Sequence, residues 1–378
     1  MKIKTYSRNL SLLFLGSCLL ISIINWSLSV CAQTNAEGRL LKWTDVKEFE
    51  IQGKGWTDTK NFYDRLPSKA EGKVTDAVWN LSHDSAGICV HFMTDATELS
   101  ARWTVRKAKL ALSHMPASGV SGVDLYTRFK GRWVWLGAAR PDESMTTEKR
   151  LTTGMTSEWR ECMLYLPLYN GVEKLELGVP ENAHFKRPPE RPASMKPVVF
   201  YGTSVLQGGC ASRPGMAYPS ILGRRLDWSI INLGFSGNAH CEPEIAALLA
   251  ELDPQVYVLD PLPNMNYESV AERMPVMLDK LRAAHPMTPI VLVEHIEVGD
   301  AQVVPSRRGY AKSNDELHRI YEIRVRAGDK KLFYVNGAKL LGDDGQGTVD
   351  RVHPTDLGFM RMSDGIEPVL KRAIRASR

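Results

Sequence analysis

The apolar residues of this chain follow two different patterns, and the change between them falls near residue 190. Up to about residue 180, short stretches rich in β-branched and aromatic residues alternate with turn-forming residues. Beyond residue 196, short runs of consecutive apolar residues alternate with longer stretches that have helical spacing. The first pattern is typical of antiparallel β structure, and the second is typical of a parallel sheet covered by helices. The sequence therefore predicts two domains of different class.

The first domain is expected to be an all-β sandwich over residues 37–180. Its clearest signal is a hairpin, in which residues 123–129 alternate, Lys130 and Gly131 form the turn, and residues 132–136 return. Further strands are predicted at 88–92, 99–105, 162–168 and 172–179. Many short strands with turn residues between them favour a sandwich of two sheets.

Tryptophan is concentrated in this first domain. Seven of the nine tryptophans lie there, namely Trp43, Trp56, Trp79, Trp103, Trp133, Trp135 and Trp159. Trp133 and Trp135 are two residues apart in a predicted strand, so both should face the same side of the sheet. Tryptophan is an ordinary core residue of a sandwich, and it also suits the faces of sugar rings. Core packing is the favoured interpretation, and sugar binding is the alternative.

A proline-rich segment at 181–195 is predicted to be a stiff linker. The second domain, 196–378, is expected to be a three-layer α/β fold, with a parallel sheet between two layers of helices. Its predicted strands are 198–201, 229–233, 255–259, 290–293 and 332–335, and its predicted helices include 242–252, 268–284, 314–326 and 355–374.

The N-terminal 32 residues have the composition of a secretory signal peptide. Basic residues precede an apolar stretch over 10–30, and small residues follow at Cys31 and Ala32. We expect cleavage after Ala32 and export to the periplasm or exterior of a bacterial cell, with no stable membrane insertion afterwards. An uncleaved anchor is an alternative. Lipid attachment at Cys31 is disfavoured because Val30 occupies a position that normally holds a small residue.

Charge and cysteine content limit the partners that the chain is expected to bind. The net charge is +5, and the basic residues are scattered, so no nucleic-acid partner is predicted. The six cysteines show no C-x-x-C spacing, so a zinc site is not expected. Cys210 and Cys241 follow the first two strands of the second domain and could lie near each other. Free thiols are nevertheless the simpler expectation for a domain of this size.

The candidate chemistry lies at the ends of predicted strands. Ser204 follows the strand at 198–201, and Asp350 and His353 share a loop before the last helix. In a doubly wound sheet, ligands bind at the carboxyl ends of the strands. A serine hydroxyl becomes nucleophilic when a histidine takes its proton, and an aspartate can orient that histidine. His295 follows the fourth strand and is a rival base, but only His353 has an aspartate three residues earlier.

Four short motifs resemble the four conserved blocks of the SGNH/GDSL esterases, and they occur in the same order. They are Gly202-Thr203-Ser204, the segment N-L-G-F-S-G at 232–237, Pro263-Asn264, and Asp350-x-x-His353. The segment G-V-D-L-Y at 122–126 also resembles the G-x-D-L-Y signature of a small domain that precedes one SGNH subfamily. The resemblance implies a flavodoxin-like SGNH domain preceded by a β domain.

The resemblance also implies an oxyanion hole. The backbone amides of Ser204 and Gly237 and the side chain of Asn264 would form it, with Gly234 and Asn266 as alternatives. Two departures from the family pattern indicate a divergent subfamily. Thr203 stands where the first block has aspartate, and the third block, L-P-N-M at 262–265, lacks its usual Gly-x-Asn-Asp form.

The expected function is that of an exported serine esterase, which removes O-acyl groups through an acyl-Ser204 intermediate. An O-acetyl group on a carbohydrate or on a small molecule is the first candidate substrate, and no metal or organic cofactor is implied. Arg213, on a glycine-rich loop over 208–215, could bind a polar substrate or simply be exposed to solvent. The alternatives are a lipase or lysophospholipase and a non-enzymatic glycan-binding protein. Every catalytic candidate follows Lys196, so the sandwich is expected to give support and no chemistry.

Overall fold

The computed structural model describes residues 31–34 and 40–377. Most of the predicted signal peptide, residues 1–30, lies outside the described residues. The N-terminal domain contains strands β1 (Cys31–Thr34), β2 (Leu40–Asp45), β3 (Glu50–Gln52), β4 (Cys89–Thr94), β5 (Glu98–Val105), β6 (Val123–Phe129), β7 (Arg132–Ala139), β8 (Thr146–Thr153), β9 (Arg160–Tyr165), β10 (Val172–Pro180) and β11 (Phe185–Lys186). Its helices are α1 (Asp76–Ser82) and α2 (Ala117–Val120).

These strands form the predicted β-sandwich. Sheet A has the order β1-β2-β10-β5-β8, and sheet B has the order β11-β4-β9-β6-β7, with β3 also paired to β4. Apolar side chains from the facing sides fill the space between the sheets, including Trp103 from sheet A and Leu125 from sheet B. The hairpin between β6 and β7 turns at Lys130 and Gly131, which both have positive φ. Two such residues are typical of the tight turn that joins antiparallel strands.

The second domain is built on a fully parallel sheet. Its strands are β12 (Val198–Gly202), β13 (Ile230–Gly234), β14 (Val256–Asp260), β15 (Ile290–Val293) and β16 (Leu332–Val335), in the order β13-β12-β14-β15-β16. Its helices are α3 (Ser204–Gln207), α4 (Tyr218–Leu226), α5 (Pro243–Leu249), α6 (Tyr267–Ala284), α7 (Tyr310–Arg326) and α8 (Asp356–Ala376). This is the flavodoxin-like strand order, and the predicted three-layer α/β class is confirmed.

The sheet separates two apolar clusters. Val199 and Tyr201 point towards α5, α6 and α7, whereas Val198 and Phe200 point towards α4 and α8. Every residue of β12, β13 and β14 is buried, which explains why these strands read as continuous apolar runs.

The register of the parallel strands brings three loops to one edge of the sheet. Gly202 of β12 pairs with Gly234 of β13 on one side and with Asp260 of β14 on the other. The three strands therefore end at the same level. Because β12 lies between strands that are connected in opposite directions, this edge is the crevice where doubly wound proteins bind ligands.

One part of the N-terminal region does not belong to the sandwich. The sequence placed residues 37–180 together, but Val78 and Trp79 of α1 pack in the same cluster as Tyr201 and Ile231 of the parallel sheet. Arg65, which lies earlier in the chain than α1, is fully buried. Its Nη1 donates to the backbone oxygens of Asn232 and Gly234, at 3.2 and 2.6 Å. The helical layer next to β13 is thus completed by a segment from the N-terminal half of the chain.

The G-x-D-L-Y segment lies at a second contact between the domains. Leu125 points into the sandwich, whereas Asp124 and Tyr126 point from the outer face of sheet B towards the parallel-sheet domain. Asp124 Oδ2 accepts a hydrogen bond from the Gly215 amide at 2.8 Å, and the Arg224 guanidinium lies 3.8 Å from the Tyr126 ring centroid. These contacts give the signature residues a structural role at the domain boundary.

The two paired tryptophans face that same outer surface, so the prediction that they share a face is correct. Trp133 donates to Asp227 Oδ1 at 3.3 Å, and Trp135 donates to Asp124 Oδ1 at 2.9 Å. Trp135 is 53% exposed. Packing in the sandwich core, the favoured interpretation, is therefore wrong for this pair, since both residues lie at the junction of the domains.

The segment predicted as a linker is also partly structured. Its residues Phe185 and Lys186 form β11 and pair with β4 at the edge of sheet B. Farther on, Arg191 donates to the backbone oxygen of Asp227 at 2.7 Å. Within the described part of the chain, no helix combines the length and the apolar character that crossing a membrane requires.

Asp260 is a buried carboxyl at the end of β14. Its Oδ2 accepts a hydrogen bond from the Tyr218 hydroxyl at 2.8 Å. Burial raises the pKa of Asp260 to about 7, and the Tyr218 hydrogen bond offsets only part of the rise. In the unfolded chain the same carboxyl ionises near its ordinary value of 3.8. The unfolded state therefore loses the proton first, and stability falls as pH rises between about 4 and 7.

Replacing Asp260 by asparagine should remove this dependence while keeping an acceptor for Tyr218. We expect the stability of Asp260→Asn relative to wild type to increase by on the order of 2–4 kcal/mol between pH 4.5 and pH 8. Chemical denaturation at the two pH values measures the difference. Asp279→Asn, at a side chain that is 71% exposed, is the matched control. An equal response of both variants would show that Asp260 does not carry the effect.

Candidate active site

Ser204 begins helix α3 directly after β12. Gly202 is required at the end of the strand, because a Cβ there would lie 2.5 Å from the backbone oxygen of Asp260. Thr203 caps the helix, and its Oγ1 accepts a hydrogen bond from the Val205 amide at 3.3 Å. A threonine can thus fill the capping position where the family motif has aspartate. Ser204 is held at the start of a rigid turn and is 7% exposed.

Ser204, His353 and Asp350 form one hydrogen-bonded line. His353 Nε2 lies 2.9 Å from Ser204 Oγ, and His353 Nδ1 lies 2.8 Å from Asp350 Oδ2. Because a carboxylate can only accept, Nδ1 carries the imidazole proton and Nε2 is left to accept the serine proton. This is the arrangement that activates a serine nucleophile.

The loop that holds Asp350 and His353 is closed by local hydrogen bonds. Asp350 Oδ1 accepts from the backbone amides of Val352 and His353, at 3.2 and 2.8 Å. Partial burial alone would raise the pKa of Asp350, but the hydrogen bonds from the His353 amide and imidazole outweigh it and lower the pKa to about 2. Asp350 is therefore ionised at neutral pH and can stabilise a protonated imidazole.

His295, the rival base, is not placed on Ser204. Its Nδ1 donates to the backbone oxygen of Ile296 at 2.5 Å, and its ring stacks on Tyr310 with centroids 5.1 Å apart. Its backbone is also held, because Asn314 exchanges two hydrogen bonds with it. Burial lowers the pKa of His295, so its ring is neutral at neutral pH. The structure brings His353 to the serine and leaves His295 in a separate environment.

The two glycine candidates for the oxyanion hole, Gly234 and Gly237, have different environments at the end of β13 and in the loop that follows. The Gly234 amide already donates to Asn232 Oδ1 at 2.9 Å, and a Cβ at Gly234 would lie 2.4 Å from the backbone nitrogen of Gln207. Gly234 therefore allows close packing of α3. Gly237 has a φ of 72° and open space where a Cβ would stand. Gly237 is the better placed of the two to donate its amide to a bound oxyanion.

The two asparagine candidates on the loop after β14 also differ, because their side chains make different hydrogen bonds. Asn266 is the N-cap of α6, where its Oδ1 accepts from the Ser269 amide at 2.9 Å. Asn264 Oδ1 accepts from the Ala239 amide at 3.2 Å, which ties this loop to the one that carries Gly237. With its oxygen occupied, Asn264 has its Nδ2 group left as a donor. The geometry thus favours Asn264 over Asn266.

Gln207 is a site residue that the sequence reasoning missed. Its Oε1 accepts from the Ser236 amide at 3.0 Å, beside Gly237. Its Nε2 donates to Leu168 O at 3.0 Å and to Asp84 Oδ2 at 3.3 Å. Gln207 therefore joins the loop after β13 to the N-terminal half of the chain. Its position three residues after Ser204, on the same turn, is the only signal that the sequence offered.

The sandwich domain reaches the site through two side chains. Tyr169 donates from its hydroxyl to the backbone oxygen of Ser204 at 3.2 Å. The ring of His114, on the loop between β5 and α2, lies 5.5 Å from the ring of His353. The first domain thus places two side chains beside Ser204 and His353.

Cys210 lies on the loop that follows α3. Its backbone has a φ of 70°, a left-handed conformation that residues other than glycine seldom adopt. Burial, together with the nearby charge of Asp350, raises the pKa of its thiol to about 12. The four cysteines described with side chains, Cys89, Cys162, Cys210 and Cys241, are free thiols, so Cys210 and Cys241 do not pair.

Arg213 does not have the environment of a substrate-binding residue. Its Nη1 donates to Asp124 Oδ2 at 2.8 Å and also to the Tyr126 hydroxyl. The carboxylate of Asp124 has no exposed surface, so this ion pair lies within the boundary between the domains. The expectation that Arg213 binds substrate is corrected accordingly, because the guanidinium is committed to the G-x-D-L-Y segment.

Two cavities of about 530 and 700 Å³ lie on the two sides of the His295–Tyr310 stack. The smaller cavity includes Asn264 and is lined about equally by polar and apolar residues, whereas polar side chains predominate in the larger cavity. The lining includes Asn266, Glu268, Lys312 and Ser313 on one side and Glu294, Glu297, Arg308, Asn314, Asp315 and Asn336 on the other.

Together, the doubly wound sheet and the Ser-His-Asp line define a hydrolase of the SGNH type. A family model described as GDSL-like lipase/acylhydrolase matches residues 195–371, and a model for the N-terminal domain of SGNH-type esterases matches residues 41–185. A solved structure described as a GDSL-like lipase from Bacteroides ovatus is 32% identical, with a TM-score of 0.83, and the match covers 89% of this chain and 98% of that one. The chain belongs to the SGNH/GDSL family, in the subfamily with a GxDLY domain.

More distant structures share the fold. A salicylyl-acyltransferase from a tetracycline biosynthetic pathway matches at 15% identity and a TM-score of 0.71, over 88% of this chain and 97% of that one. An acetyl xylan esterase from Butyrivibrio proteoclasticus matches at 13% identity and a TM-score of 0.53, over 89% and 99%. A search of the curated proteins found no match.

The two asparagines offer a direct test of the oxyanion hole. We expect Asn264→Ala to lower kcat for 4-nitrophenyl acetate by about 10²–10³-fold with little change in KM, because the lost donor acts in the transition state. Asn266→Ala is the matched control and should affect thermal stability more than kcat, because it removes a helix cap. If the two variants exchange these effects, the assignment of Asn264 is wrong.

Proposed function

We propose that the protein is a carboxylic ester hydrolase that transfers an acyl group from its substrate to Ser204 and then to water. The observation that carries this proposal is the continuous line from Ser204 Oγ to His353 Nε2 and from His353 Nδ1 to Asp350 Oδ2, with both distances below 3.0 Å. This intact line also argues against a non-enzymatic glycan-binding protein, which would have no need to maintain it.

In the first half of the reaction, Ser204 Oγ attacks the ester carbonyl while His353 Nε2 accepts its proton. The carbonyl oxygen becomes an oxyanion, which the amides of Ser204 and Gly237 and the Asn264 side chain would stabilise. The protonated imidazole, held by ionised Asp350, then gives its proton to the departing alcohol. In the second half, His353 activates a water, which releases the acid and restores Ser204.

We propose that the substrate is a polar O-acyl ester, with an acetyl group on a carbohydrate as the first candidate. The predominantly polar lining of the larger cavity supports a hydroxyl-rich alcohol portion and argues against a lipase, which would need an apolar groove for its acyl chain. The acetyl xylan esterase among the structural neighbours is consistent with this substrate class. The composition of residues 1–32 supports an exported enzyme, which would meet such esters outside the cytoplasm.

The catalytic assignment can be checked by covalent labelling. A fluorophosphonate should label Ser204, and mass spectrometry should find the adduct on its peptide, since phosphonylation requires an activated hydroxyl. His353→Ala should abolish both labelling and turnover, whereas His295→Ala, the matched control, should retain most of both. An adduct on a different serine, or full ester hydrolysis by Ser204→Ala, would refute the proposed nucleophile.

Substrate class requires a separate measurement. We expect kcat/KM for 4-nitrophenyl acetate to exceed that for the octanoate by more than about tenfold, because the mainly polar lining of the larger cavity gains little from a longer acyl chain. Acetylated xylo-oligosaccharides should release acetate, measured by an enzymatic assay. Rising kcat/KM with chain length would instead favour a lipase. Hydrolysis of short esters with no deacetylation of any sugar would confine the activity to other alcohols.

A further inference from the structure

Three metal-binding side chains meet beside the proposed nucleophile. One ligand atom each from His114, Cys210 and His353 lies within 4.8 Å of the other two. They come from three separate places in the fold, namely the sandwich loop before α2, the loop after α3 and the loop before α8. The three residues are far apart in the chain, and residues 114 and 210 belong to different domains. No local sequence motif could therefore have indicated that they meet.

We propose that these residues form a binding site for a thiophilic divalent cation such as Zn²⁺, and that the bound ion inhibits the enzyme. Two imidazoles and a thiolate are a ligand set that zinc accepts, with a water in the fourth position. Zinc–nitrogen and zinc–sulfur bonds of about 2.0–2.3 Å place neighbouring ligand atoms about 3.3–3.8 Å apart. The ligand atoms therefore need to move closer by at most about 1.5 Å, and the side chain of His114 is exposed to solvent.

The orientation of His353 suits the ion as well as it suits catalysis. Its Nδ1 is bound to Asp350 at 2.8 Å, so its Nε2 is the nitrogen that remains for a metal. Histidines that bind zinc usually have this arrangement, with a carboxylate holding the other ring nitrogen. The same Nε2 lies 2.9 Å from Ser204 Oγ. An ion bound there removes the lone pair that must accept the serine proton.

Cys210 stands on a loop of unusual backbone conformation close to His353. Its left-handed backbone, with a φ of 70°, carries a conformational cost that a glycine at the same position would avoid. Gly209 brings this loop close to the histidine, since a Cβ on Gly209 would lie 3.1 Å from His353 Cδ2. When the ion binds, it replaces the thiol proton of Cys210, which leaves to solvent. No oxidant or reductant takes part in the step.

Inhibition is tested with the full chain in chelator-free buffer by titrating ZnCl₂ against 4-nitrophenyl acetate hydrolysis. This arm rests on the proposed function. We expect zinc to inhibit wild type, EDTA to restore activity, and Cys210→Gly or His114→Gln to raise the half-inhibitory concentration by more than about tenfold. Each variant is normalised to its own rate without zinc. Cys210→Gly suits the backbone, because glycine readily adopts a positive φ.

Matched controls are available in the chain. Cys241→Gly changes another buried cysteine with a left-handed backbone, at φ 54°, that packs in the cluster on the α5 side of the sheet. His318→Gln changes an exposed histidine on α7. Both controls should remain as sensitive to zinc as wild type. If Cys210→Gly and His114→Gln are equally sensitive, the proposed site is wrong.

A spectroscopic arm is independent of catalysis. Co²⁺ added to Ser204→Ala should produce the sulfur-to-cobalt charge-transfer absorption in the near ultraviolet, and the double variant with Cys210→Gly should lack it. A missing band, or one that survives the loss of Cys210, would overturn the metal site. If Ser204→Ala shows the band while the wild-type protein hydrolyses no ester, the metal site stands, and the proposed function is refuted together with the inhibition that depends on it.

Discussion

The arrangement of the site depends on a buried polar connection between the two halves of the chain. Arg65 donates to the backbone at the end of β13 and also to the Asp84 carbonyl at 2.7 Å, and the Asp84 side chain contacts Gln207. Gln207 in turn fixes the Ser236 amide next to Gly237. Burial lowers the pKa of Arg65 to about 10, which leaves it charged at neutral pH. A buried charge must keep its partners, so these loops cannot move independently.

This connection explains why the N-terminal domain is more than an appendage. It covers part of the parallel sheet with α1, holds Arg213 through Asp124, and places Tyr169 and His114 at the crevice. A domain that is attached through ion pairs, aromatic contacts and shared apolar packing has a fixed orientation. The line from Ser204 to His353 therefore lies where side chains of both domains meet.

The flavodoxin-like sheet supplies the other constraint. Since Gly202, Gly234 and Asp260 are level in the register, each following loop begins at the same edge, and the short segments after them reach one another. His353 lies on the loop between β16 and α8, and the Asp350 side chain fixes the shape of this loop by accepting a hydrogen bond from the His353 amide. Few residues are then needed to complete an acyl-transfer site, and departures such as Thr203 are tolerated because the backbone geometry is maintained.

The sequence by itself determined the α/β class, the five strands of the parallel sheet with the longer helices that follow them, and the strand-end positions of Ser204, Gly237, Asn264, Asp350 and His353. These features follow from local apolar patterns and from short motifs, which depend on neighbours in the chain. Only the tertiary structure decided that α1 packs on the parallel sheet, that Arg213 pairs with Asp124, that Asn266 caps a helix, and that Gln207 and His114 belong to the site. Each of these depends on contacts between residues that are remote in sequence or on hydrogen-bond geometry. Long-range contacts and hydrogen-bond geometry leave no periodic pattern in the sequence, because the folded structure, and not residue spacing, decides which side chains meet.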